Sequence, residues 1–532
     1  MMDTTTWKLL RKAAACVPLA AAVTQTNGMA QDQIIHGQQE AGTWTFRHEH
    51  VLGTSLELKV RAANLAGAQQ AEAAALAEID RLERILSAWR PDSEFTRWES
   101  TRFEAVKVSP ELLEVLAGFD RWREQTSGAL DPSAEAAIRL WRQAAAEGRE
   151  PRKEEIAETV EAIAQPHWQL DPARGTATRL SDVPLALASF AKSYISSHAA
   201  NASMQSGATG IMINVGGDVV VRGALRQIVD IAAPNAAAEN DLPLDRIAVS
   251  NRAVATSGSY RRGLEAAASV SLRAPEFSHI VDPRTAQPTG HVSSSTVIAK
   301  DADTAGALAT AFSVMNTGES ARLAAQIPGV EYLLVTAGGR RIASPGWSAY
   351  QLPVLHLSGL HSIAYSPAAL SAAFAPDSGA WNPAFELALG LDLPRIQDAR
   401  YRRPYLAVWI EDADRFPVRT LCLWTQNPRW LPELKQWYRD DQVRNLSEGT
   451  DISKTVSSAT RPPGHYTLKW DGKDNEGKLV KAGKYTVVVE ASREHGTYQI
   501  ERHEMNFDQQ PQQATLPSGK ELGAVTLDYR KR

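Results

Sequence analysis

Three short polar segments in the middle third of the chain limit its fold most strongly. They are INVGGDVVVRG at 213–223, ATSGSYRRG at 255–263 and HIVDPRTAQP at 279–288. The first is rich in Gly and the second in Gly, Ser and Thr, the third is a polar turn sequence, and each adjoins a stretch that reads as a strand. Backbone N–H groups and hydroxyls exposed at strand ends in this way line pockets for phosphorylated ligands. Each segment also has a plainer reading. Gly216-Gly217 can simply close a hairpin, Thr256-Ser257-Gly258-Ser259-Tyr260 can be a turn capped by its own serines, and Asp282-Pro283-Arg284-Thr285 can be a turn of no chemical consequence.

The surrounding pattern mixes helices and strands up to about residue 350. Residues 43–62 alternate around Gly53-Thr54 as a strand pair. An amphipathic helix follows over 64–87, with Ala75, Ile79, Leu82 and Leu86 at helical spacing. Further helices are predicted near 109–126, around Leu140 and Trp141, at 183–205 and at 303–316. Strands are predicted at 211–215, 218–222, 226–232, 267–273, 294–299, 331–336 and 340–343, with a turn at Gly258. Residues 351–382 are rich in Ala, Ser, Gly and Pro and read as a linker. Beyond it the pattern turns all-β, with alternation in YLAVWIED (405–412), RTLCLWT (419–425), HYTLKWDG (465–472) and KYTVVVEAS (484–492). The division is therefore 43–350, a linker, and 383–532.

At 532 residues the chain has room for roughly two to four domains. A net charge of −4 excludes a general polyanion binder, and no nucleic acid is expected as a partner. No apolar run reaches the roughly 20 residues that cross a bilayer. At the start, Lys8, Arg11 and Lys12 precede the apolar run 13–23, and Asn27-Gly28-Met29-Ala30 offers a small-residue cleavage pattern. This reads as a signal peptide over 1–30, hence export to the periplasm; an amphipathic helix is the alternative. Cys16 lacks the context of a lipid-attachment site. After cleavage Cys422 is the remaining cysteine, so packing rather than an internal disulfide must stabilise the mature chain.

In order and spacing the three segments resemble the ApbE-type flavin transferases over about residues 45–350. Those enzymes cleave FAD and attach its FMN half to a Ser or Thr of another protein, releasing AMP. The resemblance implies an α+β, T-fold-like domain of two sheet-and-helix subregions with FAD between them. The C-terminal part resembles a periplasmic domain of unknown function found fused to such transferases. Within it, LKWDGKDNEGKLVKAGKYTVVVEA is similar to an immunoglobulin-like module of flagellar hook-capping proteins, which implies a structural or docking β-sandwich.

The resemblance also implies site residues. His279 and Lys192 are the candidate catalytic groups, with His279 as a base for the acceptor hydroxyl or, alternatively, a structural histidine. Leu52 stands where the family usually has Met. Trp89 stands where it has an aromatic beside the flavin, or else is a core residue at a helix end. Ala129, Leu130 and Asp131 parallel an Ala-Phe-Asp-Pro-Thr segment. Ser257, Ser278 and Arg284 belong to the nucleotide loops, where Ala286 replaces a usual Gly. Ala186 replaces an Asp, and Lys192-Ser193 replaces Lys-Gly.

For Mg²⁺ the family pattern Ala-Asp-Ala-Leu-Ala-Thr-Ala reads Ala305-Gly306-Ala307-Leu308-Ala309-Thr310-Ala311 here. The implied metal positions are the Ser189 carbonyl, Gly306, Thr310 and Asp303, the last either reaching the ion or merely capping the helix. The implied cofactors are FAD and Mg²⁺. The implied partner is an acceptor flavoprotein with a Ser/Thr-Gly-Ala-Thr type motif, either periplasmic or anchored at the inner membrane. Two alternatives share the pocket: a flavin-binding scaffold or chaperone that has lost transfer chemistry, and an FAD pyrophosphatase using water as acceptor.

Overall fold

The computed structural model describes residues 42–258 except 235 and 237, then 280–352, 379, 381–396, 401–425, 428–448, 452–453, 457–494 and 496–532. The signal segment 1–30, the strand expected at 267–273, Ser278, His279 and most of the expected linker lie outside the described residues. Ala41–Arg532 cohere as one unit. Among the described residues no helix is long and apolar enough to cross a membrane.

In chain order the first part opens with hairpin β1 (Gly42–Val51) and β2 (Thr54–Ala62), followed by α1 (Leu65–Leu86), α2 (Glu94–Glu99), β3 (Ala105–Lys107), α3 (Pro110–Gln125), α4 (Ala134–Ala146) and α5 (Lys153–Ala164). Then come β4 (Trp168–Asp171), β5 (Thr176–Arg179), α6 (Ala188–Gln205), β6 (Gly210–Val215), β7 (Asp218–Gly223), β8 (Gln227–Ile231), β9 (Asp245–Val249) and β10 (Ala253–Gly258). After the undescribed stretch follow β11 (Val281–Asp282), β12 (Gln287–Pro288), β13 (Val292–Ala299), α7 (Ala302–Val314), α8 (Thr317–Gln326), β14 (Glu331–Thr336) and β15 (Arg341–Ala343).

Local chemistry sets these boundaries. Asn64 accepts from the Gly67 N–H to start α1, and its buried positions Ala68, Ala71, Ala75, Ile79, Leu82 and Leu86 repeat every three or four residues. Ser109 caps α3 just before Pro110, whose fixed φ suits the first turn. The helix expected from 183 begins only at Ala188, since Pro184 disfavours helical geometry at the residue before it. The turn expected at Gly258 is the last residue of β10.

The main sheet has eight antiparallel strands in the order β1-β2-β6-β7-β10-β13-β14-β15. Strand alternation divides its side chains between two cores. Val220, Ala253, Ala255 and Val297 join the core that contains residues of α1, α6 and α7. Val219, Val221, Val254 and Ile298 join the other, with Ile231 and Ile247 of the β8–β9 hairpin and Trp347.

The remaining chain is β-rich: β16 (Phe385–Leu393), β17 (Tyr405–Glu411), β18 (Pro417–Trp424), α9 (Lys435–Glu448), β19 (Ser457–Ser458), β20 (Gly464–Trp470), β21 (Gly483–Ser492), β22 (Tyr498–Phe507), β23 (Gln512–Leu516) and β24 (Val525–Lys531). One sheet runs β20-β16-β24-β23, the other β19-β18-β17-β21-β22. They share a core to which Leu387, Leu389 and Leu527 contribute from one side and Val408, Ile410 and Val489 from the other. The all-β expectation is corrected by α9. Its polar sequence shows little helical periodicity, but Trp437 packs with Tyr405, Ala407, Trp409 and Val488. Glu490 accepts from the N–H groups of Gln436 and Trp437, a carboxylate at a helix N-terminus.

The two parts meet at β20, an edge strand. The Glu239 N–H donates to the Thr467 carbonyl at 2.8 Å, and the Asn240 amide bridges Lys469, donating to its carbonyl and accepting from its N–H. Ion pairs Arg461–Glu239 and Lys469–Asp241 flank this contact.

Candidate active site

Register brings two tight turns and one strand end to one end of the main sheet. The β1–β2 turn holds Leu52 and Gly53, the β6–β7 turn holds Gly216 and Gly217, and β10 ends in Thr256, Ser257 and Gly258. Gly216 and Gly217 have φ of +58° and +101°, and a Cβ on Gly216 would lie 2.8 Å from the Thr54 hydroxyl. Only glycine satisfies both conditions. Leu52 also has positive φ, at +49°.

Asp218 follows the glycine turn, and alternation puts it on the same face as Val220, toward α6. There its Oδ2 lies 2.5 Å from the Lys192 Nζ. Its Oδ1 accepts from the Thr256 N–H at 3.4 Å. Asp218 thus joins Lys192 to the strand end that carries Ser257. Ser257 stands opposite Ser295 of β13, and the fully buried Ser295 Oγ has no hydrogen-bond partner. Asp218 and Ser295 escaped the sequence reading. Asp218 carried a signal as the acid closing NVGGD; Ser295 is one of several hydroxyl residues in the Ser-rich start of β13, and nothing in the sequence singles it out.

A second group forms around the turn after α3. Ser127 and Gly128 both take positive φ, which turns the chain so that Ala129 and Leu130 are buried. Asp131, also buried, accepts from the Ser133 N–H and hydroxyl and pairs with the Arg123 guanidinium at 2.8 Å. The Ala186 N–H donates to the Pro132 carbonyl, so Ala186 adjoins this turn through its backbone. Arg284 pairs with Asp282 at 2.8 Å and reaches Glu319 at 3.6 Å. Arg123, Gly128, Asp131, Ile163, Pro283 and Arg284 line a cavity of about 150 Å³. Nearby, Ala286 has φ +52° while fully buried, which accounts for a glycine being the usual residue there.

Trp89 is not a core residue: it is 85% exposed in the loop after α1. Asp303 is not the cap of α7, because Asp301 accepts from the Thr304 N–H instead. The Asp303 Oδ1 is buried without a partner. Burial, with the charges of Asp301 and Glu114 adding to it, pushes its carboxyl up to about 6.

The residues present do not fit Mg²⁺. Gly306 offers no side-chain donor, and the Ser193 side chain fills the space a larger residue at 306 would need: its Cβ lies 2.8 Å from the position of a Cβ there. Asp303 and Thr310 are seven residues apart, about 10.5 Å along a helix, too far to share an ion with bonds of about 2.1 Å. The Thr310 and Ser193 hydroxyls and the Ser189 carbonyl remain, all neutral, whereas Mg²⁺ is commonly held through one or two carboxylates. Among the described residues no group of three or more His, Cys, Asp or Glu is placed to hold a metal.

Residues 52–334 match the model of the ApbE family. The chain belongs to the ApbE family. Residues 386–524 match a second model, described as "Predicted periplasmic protein (DUF2271)". The chain is 26% identical over 316 residues to the FAD:protein FMN transferase of Klebsiella pneumoniae, covering 56% of this chain and 86% of that one. It is 26% identical over 262 residues to the FAD:protein FMN transferase of Haemophilus influenzae, covering 47% and 74%. The crystal structure of the ApbE protein from Thermotoga maritima superposes with a TM-score of 0.52 at 26% identity, covering 59% of this chain and all of that one. The ApbE part therefore has the α+β fold expected, followed by a β-rich domain.

Proposed function

We propose that this chain is an exported FAD:protein FMN transferase, moving FMN from FAD to a Ser or Thr hydroxyl of a periplasmic or membrane-bound flavoprotein. The acceptor oxygen bonds to the FMN phosphorus, the bond to the AMP oxygen breaks, the hydroxyl proton leaves, and AMP departs. Family membership supports the reaction class. The observation that carries the reading is the Lys192–Asp218 contact, which joins a cation to the glycine turn and to the hydroxyl-bearing end of β10. Such an assembly can hold a diphosphate and align an incoming hydroxyl.

In this reading Arg284 and Asp131, with Ala129, Leu130 and Ala186 beside them, bound the nucleotide cavity. Leu52 and the exposed Trp89 indole flank the flavin, and Ser257 and Ser278 hydrogen-bond the ligand. His279 takes the acceptor's proton. The Mg²⁺ of the sequence reading enters no step, because the donors do not fit it. The separate cores support a division into 43–350 and 383–532, and the match to a periplasmic protein family supports export.

The absent carboxylate at Gly306 favours one second reading, a scaffold that binds flavin without transferring it. Incubating the mature chain with FAD and a protein bearing a Ser/Thr-Gly-Ala-Thr motif separates the two. Covalent flavin fluorescence with stoichiometric AMP supports transfer, and its loss in His279→Ala supports the base. Tight FAD binding without turnover refutes transfer, and AMP with free FMN identifies a pyrophosphatase.

A further inference from the structure

We propose that the Lys192 ammonium, held in place by Asp218, supplies the cation that faces the FAD diphosphate, so that this chain binds FAD without Mg²⁺. The inference rests on the flavin-transferase reading and concerns how that site neutralises charge. A diphosphate carries negative charge that its pocket must offset. On the α6–α7 face the oxygen donors are neutral, and Ser193 fills the space beside Gly306. The one buried carboxylate of α7, Asp303, lies toward the helix's far end from Thr310.

Lys192, the residue before Ser193, provides what those donors lack. Its side chain is 27% exposed, while that of its partner Asp218 is 13% exposed and held by the Thr256 N–H. The Asp218 side chain is therefore the more recessed of the two and the Lys192 side chain the more exposed. An ammonium has three N–H donors; one directed at Asp218 leaves two for phosphate oxygens. Asp218 is a positioning residue in this scheme, acting chiefly through Lys192.

The test is calorimetric titration of FAD into the full mature chain, in buffer with magnesium chloride and in buffer with EDTA. The expected dissociation constants agree within about twofold between the two buffers. Lys192→Met, checked for an unchanged melting temperature, weakens FAD by roughly 10- to 100-fold, and Lys192→Arg recovers much of the loss. Asp218→Asn weakens FAD less and adds nothing to Lys192→Met, a non-additivity that general damage to the hairpin would not produce. Affinity that disappears in EDTA overturns the inference and leaves the transferase reading standing. Unchanged affinity in Lys192→Met overturns it as well. No FAD binding in either buffer refutes the transferase reading itself, and this inference with it.

Discussion

Asp303→Asn should make the protein more stable at neutral pH, by an amount set by the titration of the buried carboxyl. The gap between about 6 in the fold and the ordinary 3.8 corresponds to roughly 3 kcal/mol. The raised value fixes the sign. The fold prefers the protonated acid, so the penalty is absent below the unfolded value near 3.8, grows as pH rises toward 6, and is complete above it. A buried asparagine has its own cost, because its amide inherits the partnerless position of Oδ1, but that cost does not vary with pH. The measurable quantity is therefore the change in the mutant's advantage between pH 4 and pH 8. Denaturant unfolding of both proteins at pH 4, 6 and 8 should show that advantage growing by about 2.5 kcal/mol, the unfolded carboxyl being already about half ionised at pH 4. Arg121 and Arg222 pull the other way, and the value of about 6 is the balance that remains after their effect. A difference that stays flat, or an asparagine variant less stable at pH 8 than at pH 4, would mean that the charged carboxylate has a compensating partner such as a bound cation.

Two further outcomes concern backbone and packing. Gly306→Ala should destabilise by about 1–3 kcal/mol through overlap with Ser193. On a Ser193→Gly background the same change should stabilise by up to about 1 kcal/mol through helix propensity, so thermal melts of the four proteins should show the sign reverse. Ala286→Gly should stabilise by roughly 1 kcal/mol, since φ of +52° costs an alanine about that much; an unchanged or lower melting temperature would contradict the strain.

The sequence made the regular elements legible wherever periodicity is strong. The buried positions of α1 and the bounds of β6, β7 and β13 fall within a residue or two of expectation. It concealed elements whose stability comes from distant partners. The helix α9 has no regular apolar stripe and is held by the buried Trp437 and by Glu490, 54 residues from Gln436. The strands of the small β3-β5-β4 sheet span only three or four residues each, too short for a pattern. At the site, composition could place two aspartates at the start of α7 but not say which would cap it, because the cap depends on where the chain enters the first turn. Asp218 was visible as part of a motif, yet its role needed α6 brought against β7. Trp89 looked like core because it ends an amphipathic helix, but the chain turns outward at Ser87.

The pairing of Glu239 and Asn240 with β20 bears on how this fused protein can be dissected. An unpaired strand edge invites intermolecular pairing and aggregation, and here one half of the polypeptide masks the other's. Removing the N-terminal half would uncover the backbone groups of Thr467 and Lys469, while removing the C-terminal half would strand Glu239 and Asp241 without their cations. The fusion is thus a mutual shield, and truncated fragments would be poor stand-ins for the intact molecule.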